Sequence, residues 1–247
     1  MRTLGKLFVV AAVLVWGSVG QAGSSLDVTL GSLSFDENVV WGGYLSGSWA
    51  VAGNDWISQS EDEFLALANT AASAAVSGAD AAAGAQTGET GIGVIAAATT
   101  GPGSSAAYAY AEQSIWFTAQ GDAELQFGAE YSITHLLSSQ LNETAFADAS
   151  VRLSLYREGG MMDTMADDVL VDESTLYVWN FVENGDSLSS GVTDVLSVFG
   201  SFAPEEIGYV WLQVDGQATA AAIPAPGALL LGAIGAALAR FLRRRVL

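Results

Sequence analysis

The side chains with the widest chemical reach are few and scattered. His135 is the single histidine and there is no cysteine, so neither a multi-histidine nor a thiolate zinc site can be assembled. His135 lies in the strand-like Tyr131-Ser-Ile-Thr-His-Leu136, where a structural role is the expectation. A serine triad would need a nucleophile on a sharp turn, and no Gly-x-Ser-x-Gly occurs; Gly31-Ser-Leu-Ser34 lacks the closing glycine. Carboxylates, by contrast, number twenty-seven. Two of them on facing strands would suffice for glycoside hydrolysis and would leave no linear signature, which keeps a secreted polysaccharide hydrolase as one alternative.

Two further groups could bind rather than react. In Gly159-Gly-Met-Met-Asp163-Thr-Met-Ala-Asp167-Asp168-Val-Leu-Val-Asp172-Glu173, hard oxygen ligands crowd one loop, as calcium requires, but without EF-hand spacing or a glycine-aspartate repeat. Its methionines, Met161, Met162 and Met165, are expected to cover an edge of the core, with copper ligation by thioethers as a remote rival. Asp55, Glu61, Asp62 and Glu63 form a second acidic knot, read as solvated. Trp41, Trp49, Trp56 and Trp116 are either core plugs or stacking platforms for sugar rings, and the second option makes a carbohydrate-binding module the other alternative. Asn142-Glu-Thr144 matches a glycosylation acceptor. No catalytic residue, metal or cofactor is assigned.

Charge narrows the partners. All twenty-seven acids fall between Asp27 and Asp215, where only Arg152 and Arg157 are basic; the one lysine and the other arginines sit at the two ends. Such a field repels nucleic acid and anionic lipid and favours cations, solubility or life in a crowded matrix. Without cysteine, stability must come from a core, and the length and aromatic content suffice for one domain.

The elements that must position these groups read as strands. Residues 26 to 60 alternate apolar and small polar side chains around Gly42-Gly43, Gly47 and Gly53, which suggests short strands and tight turns. From 64 to 111 alanine, glycine, serine and threonine dominate; propensity suggests one short helix over Glu61 to Ala75, then small-residue strands and a loop around Thr99 to Ser105. Further strands are expected at Ser114 to Ala119, Glu124 to Leu137, Ala147 to Glu158, Ser174 to Asn180, Val192 to Phe199 and Gly208 to Ala220, with turns at Gly121-Asp122, Gly159-Gly160, Asn184-Gly185-Asp186, Gly200 and Ala203-Pro204-Glu205-Glu206. Val151, Leu153 and Leu155 share one face, as do Val210, Leu212 and Val214. The fold class is therefore all-β: an antiparallel sandwich, jelly-roll-like, over residues 23 to 221.

Both ends read as addresses. Met1 to Lys6 is positive, Leu7 to Trp16 apolar, and Gly20-Gln21-Ala22 small, so residues 1 to 22 form a signal peptide with cleavage expected after Ala22. At the other end, Ile223 to Ala239 carry no charge over seventeen residues; as a helix they would cover roughly 25 Å, enough for a thin bilayer. Arg240, Arg243, Arg244 and Arg245 would stop transfer and hold the terminus in the cytoplasm.

A Pro-x-Pro element, a glycine- and leucine-rich span and a terminal arginine cluster, together over residues 222 to 247, resemble the PEP-CTERM sorting signal of Gram-negative bacteria. Here Pro224-Ala225-Pro226-Gly227 stands where that family has Pro-Glu-Pro. The resemblance implies export machinery and an exosortase-like processing enzyme as partners, a membrane anchor, and a structural or adhesive place at the cell surface or in an exopolysaccharide matrix.

Overall fold

The structure is a computed structural model that describes residues 22–35, 38–53, 70–75, 81–88, 91–100, 104–159 and 167–222. The signal segment before Ala22, the sorting and stop-transfer residues, Trp56, the acidic knot at 55 to 63 and the three loop methionines lie outside the described residues.

Strand-forming patterns account for the fold almost everywhere. The strands are β1 (Gly23–Gly31), β2 (Ser34–Phe35), β3 (Val39–Gly53), β4 (Thr70–Ala75), β5 (Ala81–Gly88), β6 (Gly91–Thr99), β7 (Ser105–Ala119), β8 (Ala123–Ser138), β9 (Glu143–Arg157), β10 (Val169–Glu183), β11 (Ser187–Phe202) and β12 (Ile207–Ala222). All pairings are antiparallel. One sheet runs β11-β8-β1-β6-β5-β4 with β2 also on β8; the other, five-stranded, runs β10-β9-β12-β7-β3. The two sheets lie face to face, β12 over β6 and β1, β7 over β5 and β6. Antiparallel sheets need cover on one face only, which is why inward and outward residues alternate so cleanly.

The inner faces change composition along the strands. At one end they carry Ala83, Ala96, Ala109, Ala147 and Ala218; at the other, Phe117, Phe127, Leu153, Leu155 and Phe202, all buried. Phe117 meets Phe127 and Phe202 at ring-centroid distances of 4.9 and 5.1 Å. Within the small-residue half, a Cβ on Gly216 would stand 2.2 Å from Leu26 Cδ2 and 3.3 Å from Val94 Cγ2, so β12 presses directly on the opposing sheet there.

Several expectations change. The helix over Glu61 to Ala75 is not found where the chain is described: Thr70–Ala75 is strand β4, paired with β5. Alanine's helix propensity is a few tenths of a kcal/mol per residue and yields to the ladder that β4, at the edge of its sheet, forms with β5. Gly42, Gly43 and Gly47 lie inside the fifteen-residue β3, not in turns; a register shift between Trp41 and Gly43 marks a bulge there. Gly200 likewise lies within β11. The turns at Asn184-Gly185 and Glu205 do form, with φ of 54°, 98° and 65°, and glycine suits the second of these because it has no Cβ to strain.

The start of the described chain is tied down. Ala22 is fully buried, and its backbone N–H donates to Glu143 Oε2 at 2.7 Å and to Thr100 Oγ1 at 3.0 Å. Its carbonyl accepts from the Thr100 N–H at 2.9 Å.

Asp27, on the outer face of the central strand β1 between Ile95 and Thr134, is pushed by burial from 3.8 up to about 6. The folded state therefore binds the proton more tightly than the unfolded chain, and stability falls as pH rises from about 4 to about 6. Asp27→Asn is expected to raise stability at pH 7 by about 1–2 kcal/mol, the full shift being discounted for solvent screening, and to leave it unchanged below about pH 4. Urea melts of both proteins across that range measure it; an equal effect at both ends would refute the assignment.

Candidate functional site

The outer face of the five-stranded sheet gathers aromatic and carboxylate side chains that the sequence scatters over more than a hundred positions. The register places them in cross-strand rows. One row is Trp49 on β3, Tyr110 on β7, Asp215 on β12, Ser150 on β9 and Tyr177 on β10. The next, two residues along each strand, is Val51, Tyr108, Gln217, Asp148 and Trp179. Rows two residues apart are about 6.8 Å apart and strands about 4.8 Å. Large rings thus stand on β3 and β7 on one side and on β10 on the other, with the short side chains of β12 and β9 between them. The result is a groove along the strands, its rims roughly 14 Å apart from β7 to β10.

Each rim is held by local contacts. Trp49 and Tyr108 meet edge to face at 5.0 Å. The Tyr110 hydroxyl donates to Glu112 Oε2 at 2.6 Å, Trp211 Nε1 donates to the same oxygen at 3.1 Å, and Gln213 Nε2 donates to the Tyr110 oxygen at 2.8 Å. On the other rim Tyr177 donates to Asp148 Oδ2 at 2.8 Å, and Trp179, Tyr177 and Phe181 are 61%, 56% and 47% exposed. Further along, Trp116, Tyr209 and Tyr156 close the groove: Tyr156 and Tyr209 stack at 4.8 Å with 8° between planes, and Trp116 lies 5.4 Å from Tyr209.

The floor is acidic. Asp148 and Asp215 sit diagonally on neighbouring strands. The Asp215 carboxyl is pushed up by burial and by the Asp148 charge, against a hydrogen bond from Ser150 and the more distant Arg152. Burial, then the charges of Asp215 and Asp148, raise Tyr108; the Asp148 hydrogen bond leads the same effect on Tyr177. Both rims therefore feel both carboxylates. Asp148 Oδ1 is shielded from solvent and receives no hydrogen bond from the protein. Arg152 is drawn toward Glu173, Nε to Oε2 3.9 Å.

The sequence-derived candidates divide. Trp49 and Trp116 lie on this face. Trp41 does not: it turns inward, its ring edge-on to Phe117 and Phe127 at 6.1 and 6.3 Å, because the bulge in β3 shifts the alternation. Tyr108, Tyr110, Trp179 and Trp211 were not singled out from the sequence, and period-two spacing in β7 and β12 was the available signal. His135 is 1% exposed between the sheets, its Nδ1 2.5 Å from Asn180 Nδ2, and burial holds its pKa down, which suits a structural side chain.

In the acidic loop region, the described carboxylates are engaged by the protein itself. Asp168 accepts from Tyr209 and from the Gly159 N–H, and Asp172 from the Phe199 and Glu173 N–H groups. Among the described residues no group of acids is disposed to hold a metal ion. A cavity of about 530 Å³ at one end of the sandwich is lined by Asp122, Glu124 and Arg157, but Arg157 is spent on Glu206 at 2.6 Å and the Ser201 carbonyl at 2.7 Å. No protein-family model and no curated protein sequence matches the chain.

Proposed function

We propose that the chain is an exported structural or adhesive protein of the cell surface or extracellular matrix that holds polysaccharide in the groove on its five-stranded sheet. One observation carries this reading: aromatic rings from β3, β7 and β10 line both sides of a hydrogen-bonding floor. Sugar rings present an apolar face to stack on such rims and hydroxyls to bond to the floor. The strand orders support the finer reading of the fold as a jelly roll. β6 to β12 cross between sheets in the order of a double Greek key, with β1 standing where the eighth strand belongs and β3, β4 and β5 extending one edge.

Export through a cleaved leader and a PEP-CTERM-like tail remains part of the proposal, with Pro224, Ala225, Pro226 and Gly227 as the recognised bend. Arg240, Arg243, Arg244 and Arg245 are its stop. The burial of Ala22 bears on the leader: a cut before it would leave its ammonium 2.7 Å from Glu143 Oε2, whereas a cut after it would remove Ala22 and both of these hydrogen bonds.

Affinity electrophoresis and a glycan array test the binding claim. Trp49→Ala and Trp179→Ala are each expected to weaken binding about tenfold, as anchors at the rims of an interface do. Absence of binding to every glycan, or binding indifferent to both changes, would overturn it. The Asp148 and Asp215 pair favours a second reading, a polysaccharide hydrolase, and the release of new reducing ends from a bound glycan would establish that instead.

A further inference from the structure

We infer that the groove selects a polysaccharide bearing free amino groups, with an ammonium seated over Asp148 and Asp215; this rests on the glycan-binding reading above. The floor supplies acceptors where a neutral sugar would be served equally by donors and acceptors. Asp148 and Asp215 are carboxylates, and the Arg152 guanidinium is turned toward Glu173. Neither aspartate has an ion-pair partner among the described residues, and after burial the Asp148 charge helps to push the Asp215 carboxyl up, so an incoming cation relieves a repulsion already present. Asp148 Oδ1 is shielded and receives no donor from the protein, so the carboxylate has to turn outward to meet the three donors of an ammonium.

The walls suit the same group. Tyr108 and Tyr110 stand on one side of the carboxylate pair and Tyr177 and Trp179 on the other, and the faces of such rings attract cations. The charge of the surroundings agrees: twenty-seven acids and two arginines between Asp27 and Asp215 attract a polycation from a distance and repel uronic-acid or sulfated chains. The charge complementarity favours an amino-sugar polymer over a basic protein because the rims are flat ring surfaces rather than a pocketed apolar cleft.

The test uses three soluble hexamers of one backbone geometry: β-1,4-linked glucosamine, its N-acetylated counterpart and the corresponding glucose hexamer. Calorimetry on the folded protein at mildly acidic pH, where amino sugars are charged, is expected to give binding of the amino hexamer at least tenfold tighter than of the other two, weakening as salt rises. Asp148→Asn and Asp215→Asn should each erase that preference while leaving the common, ring-based affinity. Glu183→Gln, which removes the same charge at the end of β10, should keep the preference. Equal affinity for all three hexamers, with loss on Trp179→Ala, would overturn this inference and leave the glycan reading standing. No binding of any hexamer would overturn this inference, and with a silent glycan array it would also remove the glycan reading. Preference surviving in both aspartate variants, or lost equally in Glu183→Gln, would reduce the effect to net charge and refute the seat.

Discussion

Phe117→Ala is expected to destabilise the sandwich by about 3–5 kcal/mol, the usual cost of removing a buried phenyl ring and leaving a cavity that its neighbours fill only in part. Phe117 is 1% exposed and touches rings from three other strands: Trp41 on β3, Phe127 on β8 and Phe202 on β11. Those contacts bridge the two sheets at the aromatic end of the core, so no single side-chain movement can close the gap. Equilibrium urea unfolding followed by tryptophan fluorescence measures the loss; a change below about 1 kcal/mol would mean that this end collapses freely and that the ring cluster is not the keystone described. Trp116, the preceding residue, points to the opposite face and lies against Tyr209 at 5.4 Å with 34° between the ring planes. The same variant should therefore loosen the closed end of the groove as well.

The second large effect comes from adding atoms rather than removing them. Gly216→Val is expected to cost about 3 kcal/mol, at the upper end for overpacking, because the new Cβ alone would stand 2.2 Å from Leu26 Cδ2. Leu26 and Val94 are each 1% exposed, so neither can swing aside into solvent. Relief requires Leu26 to repack among buried neighbours or the sheets to part locally. Thermal unfolding is the direct measurement, and the control is Gly121→Ala, where a Cβ would meet nothing within 4 Å. Equal melting temperatures for the two variants would show that the small-residue half is slack and would overturn the close approach. If the valine variant does not accumulate in folded form, Gly216→Ala carries the same clash with fewer atoms and keeps the comparison open.

These two results describe one device. The described core has aromatic filling at one end and alanine filling at the other, and the small residues of β5, β6 and the start of β7, among them Ala83, Ala85, Ala96, Ala107 and Ala109, fill the second end. A run of alanine and glycine that looks poor in structure by propensity is well suited to sheets that approach closely. Helix propensity misleads over Thr70–Ala75 for the same reason, since pairing with β5 supplies more than the small intrinsic preference for helix.

Much of this was legible along the chain. Alternation in Ala149 to Tyr156 and in Tyr209 to Ala218 named the buried faces correctly: Val151, Leu153, Leu155, Val210, Leu212 and Val214 are all buried. The absence of cysteine and the lone histidine removed multi-histidine and thiolate zinc sites before any fold was known. Segregation of nearly all positive charge to the two ends set the sign of the field that any partner meets, because charge depends on composition and not on packing.

Only the tertiary structure decided which residues stand together. Trp49, Tyr110, Asp215, Ser150 and Tyr177 come from five strands and acquire a common row only through the register of four ladders. A shift of one residue in any ladder would have turned that strand's contribution to the other face, and the bulge between Trp41 and Gly43 does this within β3, sending Trp41 into the core while Trp49 stays outside. Periodicity along a strand sorts side chains into two faces. Which face meets water, and which neighbours share it, follows from long-range pairing, where each ladder is chosen by burial summed over the whole sandwich.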